Sequence, residues 1–125
     1  MKNAKAAHVL VVLGCIVLVA SATLHWIAGY LTLPHALAAS NLAPPLSSGL
    51  HAVFILVGWD WLVIAIVALI AAFSGTRARK AILIFCAFGL LVSAGIVFHF
   101  LGWFIADELL AAAGLLILGG ALLFD

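Results

Sequence analysis

Six ionisable side chains stand out because they interrupt long apolar stretches and belong to types that bind metal ions or transfer protons. They are His25, His51, Asp60, His99, Asp107 and Glu108. Imidazoles and carboxylates are the groups with which proteins hold zinc, copper or non-haem iron. A histidine paired with a carboxylate also serves as acid and base in catalysis. The chemistry that these residues suggest is therefore metal binding or proton transfer.

The six residues are dispersed along the chain. No H-E-x-x-H, C-x-x-C or E-x-x-H element occurs, so a site would have to be assembled from several helices. A haem held between His25 and His99 is disfavoured, because its propionates would emerge where no Lys or Arg is available. Ser21 precedes His25 by one helical turn, but no nucleophile motif accompanies this pair.

The composition indicates the setting in which these residues act. Hydrophobic residues make up 69% of the 125 residues and charged residues 7%. So little polar surface cannot cover a soluble globule of this size, and we expect an integral membrane protein surrounded by the lipid bilayer. A net charge of +1 and the absence of a long basic run argue against nucleic acid as a partner.

The apolar stretches predict an all-α integral membrane protein, a bundle of four transmembrane helices in up-down-up-down order. About 20 helical residues cross the hydrocarbon core of a bilayer, so this chain accommodates four spans and no soluble domain. We expect helices at about residues 6–30, 47–74, 78–101 and 107–124, with an outer loop at 31–46 and a cytoplasmic loop at 75–77.

Residues that start or stop helices set these expected bounds. Pro34 and the pair Pro44-Pro45 argue against one continuous helix through the outer loop, where a short interfacial helix is expected from Pro34. Ser47 and Ser48 are expected to cap the second helix, and Asp107 the fourth.

All the basic residues lie at two points that share one end of the predicted bundle. They are Lys2, Lys5, Arg77, Arg79 and Lys80. The positive-inside rule makes this end cytoplasmic, so we expect both termini on the cytoplasmic side of the inner (plasma) membrane. Counting about 1.5 Å per residue from these anchors places His25 and His99 near the outer boundary, with Asp60 slightly deeper.

Residues from different helices are therefore expected at one depth near the outer face. We expect His25, His99 and Glu108 to point inward and approach one another, supported by the other three ionisable residues. Such a cluster would bind a transition metal ion or a small amphipathic ligand. Transport is disfavoured, because the predicted interior below Asp60 offers no further ionisable group.

Other interpretations stay open beside this site. His99 and Asp107 could simply stabilise helix ends, where their charges suit the helix dipole. The aromatic residues, including Trp26 and Tyr30, could form an ordinary interfacial belt. The main alternative is an accessory subunit of a larger membrane complex, or a homo-oligomer, that packs through small residues such as those at Gly58, 65 and 72. A membrane enzyme acting on a lipophilic substrate is the lesser alternative.

Overall fold

The chain is helical through nearly its whole described length. A computed structural model describes residues 2–103 and 105–124, apart from the side chains of Lys2 and Leu101. The helical segments are α1 (Lys2–Ile27), a π-helical turn (Ala28–Thr32), α2 (Leu33–Ala38), α3 (Pro44–Phe73), α4 (Arg79–Leu101) and α5 (Ile105–Leu123). The described part of the chain contains no β-strand.

Four helical segments are long and apolar enough to cross a membrane. They are Asn3–Ala38, Pro44–Phe73, Arg79–Phe100 and Ile105–Leu123. The prediction of an all-helical chain with four candidate spans is therefore confirmed. The described helices extend further than the predicted ones at several ends, and residues 39–43 form the only non-helical part of the expected outer loop.

Two predicted helix caps are wrong. α3 begins at Pro44 with Ala43 as its N-cap, so Ser47 and Ser48 lie within the helix. Proline suits this start because the first helical N–H groups have no acceptor inside the helix. α5 begins at Ile105, and Asp107 lies in its first turn, where a carboxylate meets the positive end of the helix dipole.

The first span continues past the point where Pro34 was expected to end it. The backbone N–H of Leu33 donates to the carbonyl of Ala28, which closes the wider turn of a π-helix. Proline cannot donate to the carbonyl of Tyr30, and its ring would crowd that carbonyl in a regular α-helix. The wider turn accommodates the proline, and α2 then starts with Pro34 in its first turn.

Glycines bring the helices into close contact. An added Cβ at Gly14 would lie 2.8 Å from Ile117 and 3.0 Å from the carbonyl oxygen of Ala113, so α1 and α5 touch there almost backbone to backbone. Gly114 has the same relation to Leu91 of α4. Lipid chains are as apolar as helix side chains, so membrane helices associate through close packing, which small residues allow. α5 therefore packs closely against both α1 and α4.

The remaining core is mostly aliphatic, with Trp61 and Phe124 as its buried aromatic residues. Its largest fully buried side chains are Phe124, Leu18, Leu83, Leu90, Leu110, Ile117 and Val11. Both cysteines, Cys15 and Cys86, are free and buried. The thiol of Cys15 donates to the carbonyl oxygen of Ala65 at 3.5 Å, which ties α1 to α3 at mid-height.

The basic residues lie together at one end of the bundle, called here the basic end; the opposite end is called the far end. At the basic end, His8 Nε2 lies 3.1 Å from the carbonyl oxygen of Ala72. Lys80 Nζ donates to the carbonyl oxygen of Phe124 at 3.0 Å, and the Arg79 guanidinium lies 3.9 Å from the Phe124 ring centroid. These contacts bring α1, α3, α4 and the end of α5 to one level.

The helices differ in length above this common level. α3 has 30 residues and α5 has 19. At about 1.5 Å per residue, α3 therefore extends roughly 16 Å beyond α5 at the far end. The part of α3 that extends beyond α5 packs against the π-helical turn and α2.

Candidate functional site: a groove at the far end

His25 faces α3. Its Nε2 lies 2.7 Å from the carbonyl oxygen of Phe54, and its ring stacks on the Phe54 ring with 3.7 Å between centroids. The Trp61 ring packs against another side of the imidazole, with 4.7 Å between the ring centroids. A carbonyl oxygen only accepts, so in this contact Nε2 carries the proton. Nε2 is thus engaged in joining α1 to α3, and Nδ1 is the ring nitrogen that keeps a free lone pair.

The indole of Trp26, the next residue in α1, makes a second hydrogen bond to a backbone carbonyl of α3. Its Nε1 donates to the carbonyl oxygen of Ile55 at 3.2 Å. A Cβ at Gly58 would clash with this indole nitrogen, so the glycine leaves the space into which the ring fits. The accessory-subunit alternative would have Gly58 face a partner, but Gly58 is buried inside the bundle together with Ala65 and Ala72.

The other predicted site residues are spread over the surface and the core. His99, Glu108 and Asp60 are exposed, whereas Asp107 is buried with 5% exposure. The nearest aromatic contact of His99 is with its neighbour Phe100. Within residues 2–103 and 105–124, no group of three or more His, Cys, Asp or Glu side chains is placed so that it could hold a metal ion.

His51 is the predicted residue that lines a cavity. A groove of about 510 Å³ runs along α3 beside the π-helical turn. Its lining residues are Tyr30, Ser48, His51, Ala52, Ile55, Leu56 and Trp59. The volume falls in the range of small-ligand pockets, and π-helical turns are frequent at functional sites.

The groove is polar at one end and apolar at the other. Ser48 and His51 lie towards the start of α3, and the Tyr30 ring meets the His51 ring edge to face at 6.3 Å. Ile55, Leu56 and Trp59 continue the wall towards the middle of the bundle. From 48 to 59 the wall spans about 16 Å along the helix axis. This gradient matches an elongated molecule with one polar end.

The side chain of His51, which lines the groove, has an unused hydrogen-bonding atom. His51 Nε2 is buried, and no described residue forms a hydrogen bond with it. Buried polar atoms in proteins are nearly always paired, so an unpaired one requires an explanation. The hydroxyl of Ser21 is the second such atom, but it lies in the closed core on α1. His51 therefore differs from Ser21 in being next to space that a ligand can fill.

Of the seven residues that line the groove, sequence reasoning identified only His51 as a site residue; three of the six it missed have polar or aromatic side chains. Tyr30 and Trp59 fit an interfacial aromatic belt equally well, and Ser48 was interpreted as a helix cap. The available signal was the spacing of Ser48, Ala52 and Trp59, which repeats along one side of a helix. The position of Tyr30 had no such signal, because it depends on the π-helical turn.

The groove also has no charged lining residue. The polar groups of its lining side chains are two hydroxyls, an imidazole and an indole N–H, from Tyr30, Ser48, His51 and Trp59. The arrangement can exchange hydrogen bonds with an uncharged polar group and enclose an apolar chain. Comparison with known proteins yields no relative: the chain matches no protein-family model, no curated protein and no solved structure.

Proposed function

We propose that this protein is a small integral membrane protein that binds a neutral amphipathic lipid in the groove beside α3. The observation that supports this function best is the buried, unpaired Nε2 of His51 next to the groove. A hydroxyl group of the ligand would donate to this nitrogen once the ring turns towards it. The ligand's apolar chain would lie against Ile55, Leu56 and Trp59.

The charge pattern supports an uncharged head group. All the Lys and Arg residues belong to the basic end, and no carboxylate lines the groove. An anionic head would lack a countercharge there, and burying an unpaired charge is costly. A hydroxyl or carbonyl head, as in a monoacylglycerol, needs only the hydrogen bonds that Ser48, His51 and Tyr30 can supply.

The proposal includes an orientation in the membrane. The four spans cross in up-down-up-down order with the basic end in the cytoplasm, as the positive-inside rule predicts. Ser48 then lies about 37 Å from Phe73 along α3, at the depth of the outer head groups in a bilayer about 40–45 Å thick overall. The apolar end of the groove lies within the hydrocarbon, so a lipid can enter sideways from the outer leaflet.

A metal ion fits this geometry less well than a lipid does. The Nε2 of His25 is bonded to the carbonyl oxygen of Phe54, which holds the ring against α3 and leaves Nδ1 as its one nitrogen for a metal. His51 is the only one of the six predicted ligands that lines the groove. Transition-metal sites in proteins usually need three or four such ligands around one point.

The test is photocrosslinking in lipid nanodiscs. A monoacylglycerol carrying a diazirine near its head should label residues 30 and 48–59, as mapped by mass spectrometry of the digested protein. His51→Ala should reduce the labelling roughly fivefold, the effect of losing one hydrogen bond to a ligand. Excess unlabelled monoacylglycerol should compete for the site.

His35→Ala is the matched control. His35 is an exposed histidine on α2 that does not line the groove, so its removal should leave labelling unchanged. Equal labelling of the wild-type protein and His51→Ala would contradict the proposal. Labelling spread evenly over the lipid-facing sides of α4 and α5 would also contradict it and would favour the accessory-subunit role.

A further inference from the structure

A second groove lies at the basic end, between the end of α3 and the start of α4. It has a volume of about 290 Å³ and is lined by Val67, Ile70, Ala71, Ser74, Thr76 and Ile82. α3 and α4 share less contact than the other neighbouring long helices, which leaves this seam open. Four of the lining residues are apolar, and the two hydroxyls lie together where α3 ends.

The chain between α3 and α4 holds these hydroxyls in place. Gly75 has a φ of 64°, a left-handed conformation that favours glycine and turns the chain sharply after Ser74. Ser74 Oγ donates to the carbonyl oxygen of Ala71 at 3.0 Å and lies 3.1 Å from Thr76 Oγ1. The Thr76 backbone N–H points at Ser74 Oγ at 3.4 Å. The polar end of the groove is therefore a compact turn.

The charge at this end is positive. Arg77 follows Thr76 directly and is exposed. The two nearby cations have other contacts, since Arg79 lies over the Phe124 ring and Lys80 bonds to the Phe124 carbonyl oxygen. No Asp or Glu lines the groove. An anionic group at the turn would thus meet Arg77 with no carboxylate among the described lining residues.

We infer that this groove binds an anionic phospholipid. One acyl chain lies along Val67, Ile70 and Ile82. The phosphate lies at the turn and pairs with Arg77, the exposed cation that follows Thr76. From 67 to 74 the apolar wall is about 10 Å long, which suits the part of an acyl chain nearest the head group. Arginine is a residue that proteins commonly use to bind phosphate oxygens.

This inference is independent of the ligand proposed for the far end, because the two grooves share no residue. The two sites also differ in chemistry. The far-end groove has no charged group and suits a neutral head, whereas the basic-end groove suits a phosphate. A lipid head and free phosphate share this anion chemistry, so the experiment must separate them.

The experiment measures lipid binding to the full-length protein in mild detergent by native mass spectrometry. Phosphatidylglycerol should bind the wild-type protein in preference to phosphatidylcholine of the same chain length. Arg77→Gln should reduce phosphatidylglycerol affinity roughly fivefold, the expected effect of one cation near an anionic surface. Arg79→Gln is the control, because it removes an equal charge from a guanidinium that already packs on the Phe124 ring. It should leave the phosphatidylglycerol affinity nearly unchanged.

Two further measurements complete the test. Val67→Trp places a large ring in the groove, so it should weaken phosphatidylglycerol binding. Because Val67 is exposed, the substitution should not change the thermal midpoint of the lipid-free protein. Inorganic phosphate at millimolar concentration should not displace the lipid. Equal losses for Arg77→Gln and Arg79→Gln would overturn the inference, because binding would then follow total charge. Displacement by free phosphate would overturn it in favour of a simple anion site.

Discussion

His25 and Trp26 are neighbours in α1 that direct ring N–H groups at consecutive carbonyl oxygens of α3, those of Phe54 and Ile55. These carbonyls also belong to the hydrogen-bond ladder of α3, so each acts as a shared acceptor. In apolar surroundings such bonds are stronger than in water, and leaving a donor unpaired is costly. The two residues therefore join α1 to α3 near the far end.

Trp26→Phe should lower the stability of the bundle by about 1 kcal/mol, because it removes one hydrogen bond while keeping an aromatic ring at this position. The measurement is the thermal midpoint in mild detergent, followed by circular dichroism. Trp103→Phe is the control, since Trp103 is 80% exposed and no described hydrogen bond uses its indole. A midpoint that is unchanged in Trp26→Phe would show that the indole bond contributes nothing.

The sequence could not show which way these side chains face. Nearly every position around α1 and α3 is apolar, so the usual contrast between a polar and an apolar face is missing. The depth of His25 could be counted from Lys5, but its rotation towards Phe54 depends on how Gly58 admits Trp26. For the same reason His25 could be expected near His99 when its ring in fact stacks on α3.

Among whole helices, α5 illustrates how small residues set the packing. Gly119 and Gly120 are adjacent, yet their surroundings differ. An added Cβ at Gly120 would lie 2.6 Å from Val11 and 2.8 Å from the carbonyl oxygen of Ala7. At Gly119 the nearest atom would be a methyl group of Leu10 at 3.6 Å, an ordinary contact. One glycine is required by the α1–α5 interface and the other is not.

Gly120→Ala should therefore destabilise the protein by roughly 1–3 kcal/mol, because α5 must move away from the backbone of α1. Gly119→Ala should be neutral or slightly stabilising, because alanine is the better helix former by up to about 1 kcal/mol. Chemical unfolding in mixed micelles compares the two variants directly. Equal effects of the two substitutions would contradict the described rotation of α5.

Helix existence was easier to predict than helix ends. Four apolar stretches of sufficient length gave the four candidate spans. The ends of α3 and α4 are followed by Gly75 and Gly102, which both have positive φ. Pro34 was misleading, because the single wide turn before it lets the helix continue to Ala38. Such a turn depends on backbone hydrogen bonds that the residue pattern of this segment does not predict.

For the molecule as a whole, the asymmetry of charge is the feature that should decide its orientation. The chain has no Lys, Arg, Asp or Glu between Lys5 and Asp60, a stretch that forms α1, the π-helical turn, α2 and more than half of α3. Orientation therefore depends on the basic residues at one end and on little else. Both native cysteines are buried, which makes the orientation accessible to measurement.

Single cysteines introduced at Asn41 and Ala78 should react on opposite sides of the membrane, because these exposed residues lie at opposite ends of α3. In intact cells a membrane-impermeant maleimide should label Asn41→Cys and spare Ala78→Cys until the membrane is opened. The wild-type protein serves as the control and should stay unlabelled throughout. The reverse pattern would contradict a cytoplasmic basic end.

The unequal lengths of α3 and α5 affect the membrane itself. A lipid beside α5 meets an apolar helix of about 28 Å, and a lipid beside α3 meets one of about 45 Å. In the proposed orientation the first turns of α3, with Ser48, lie among the outer head groups, so only part of this difference falls within the hydrocarbon. The mismatch that remains would cost a fraction of a kcal/mol per ångström and would favour a thicker bilayer beside α3 than beside α5.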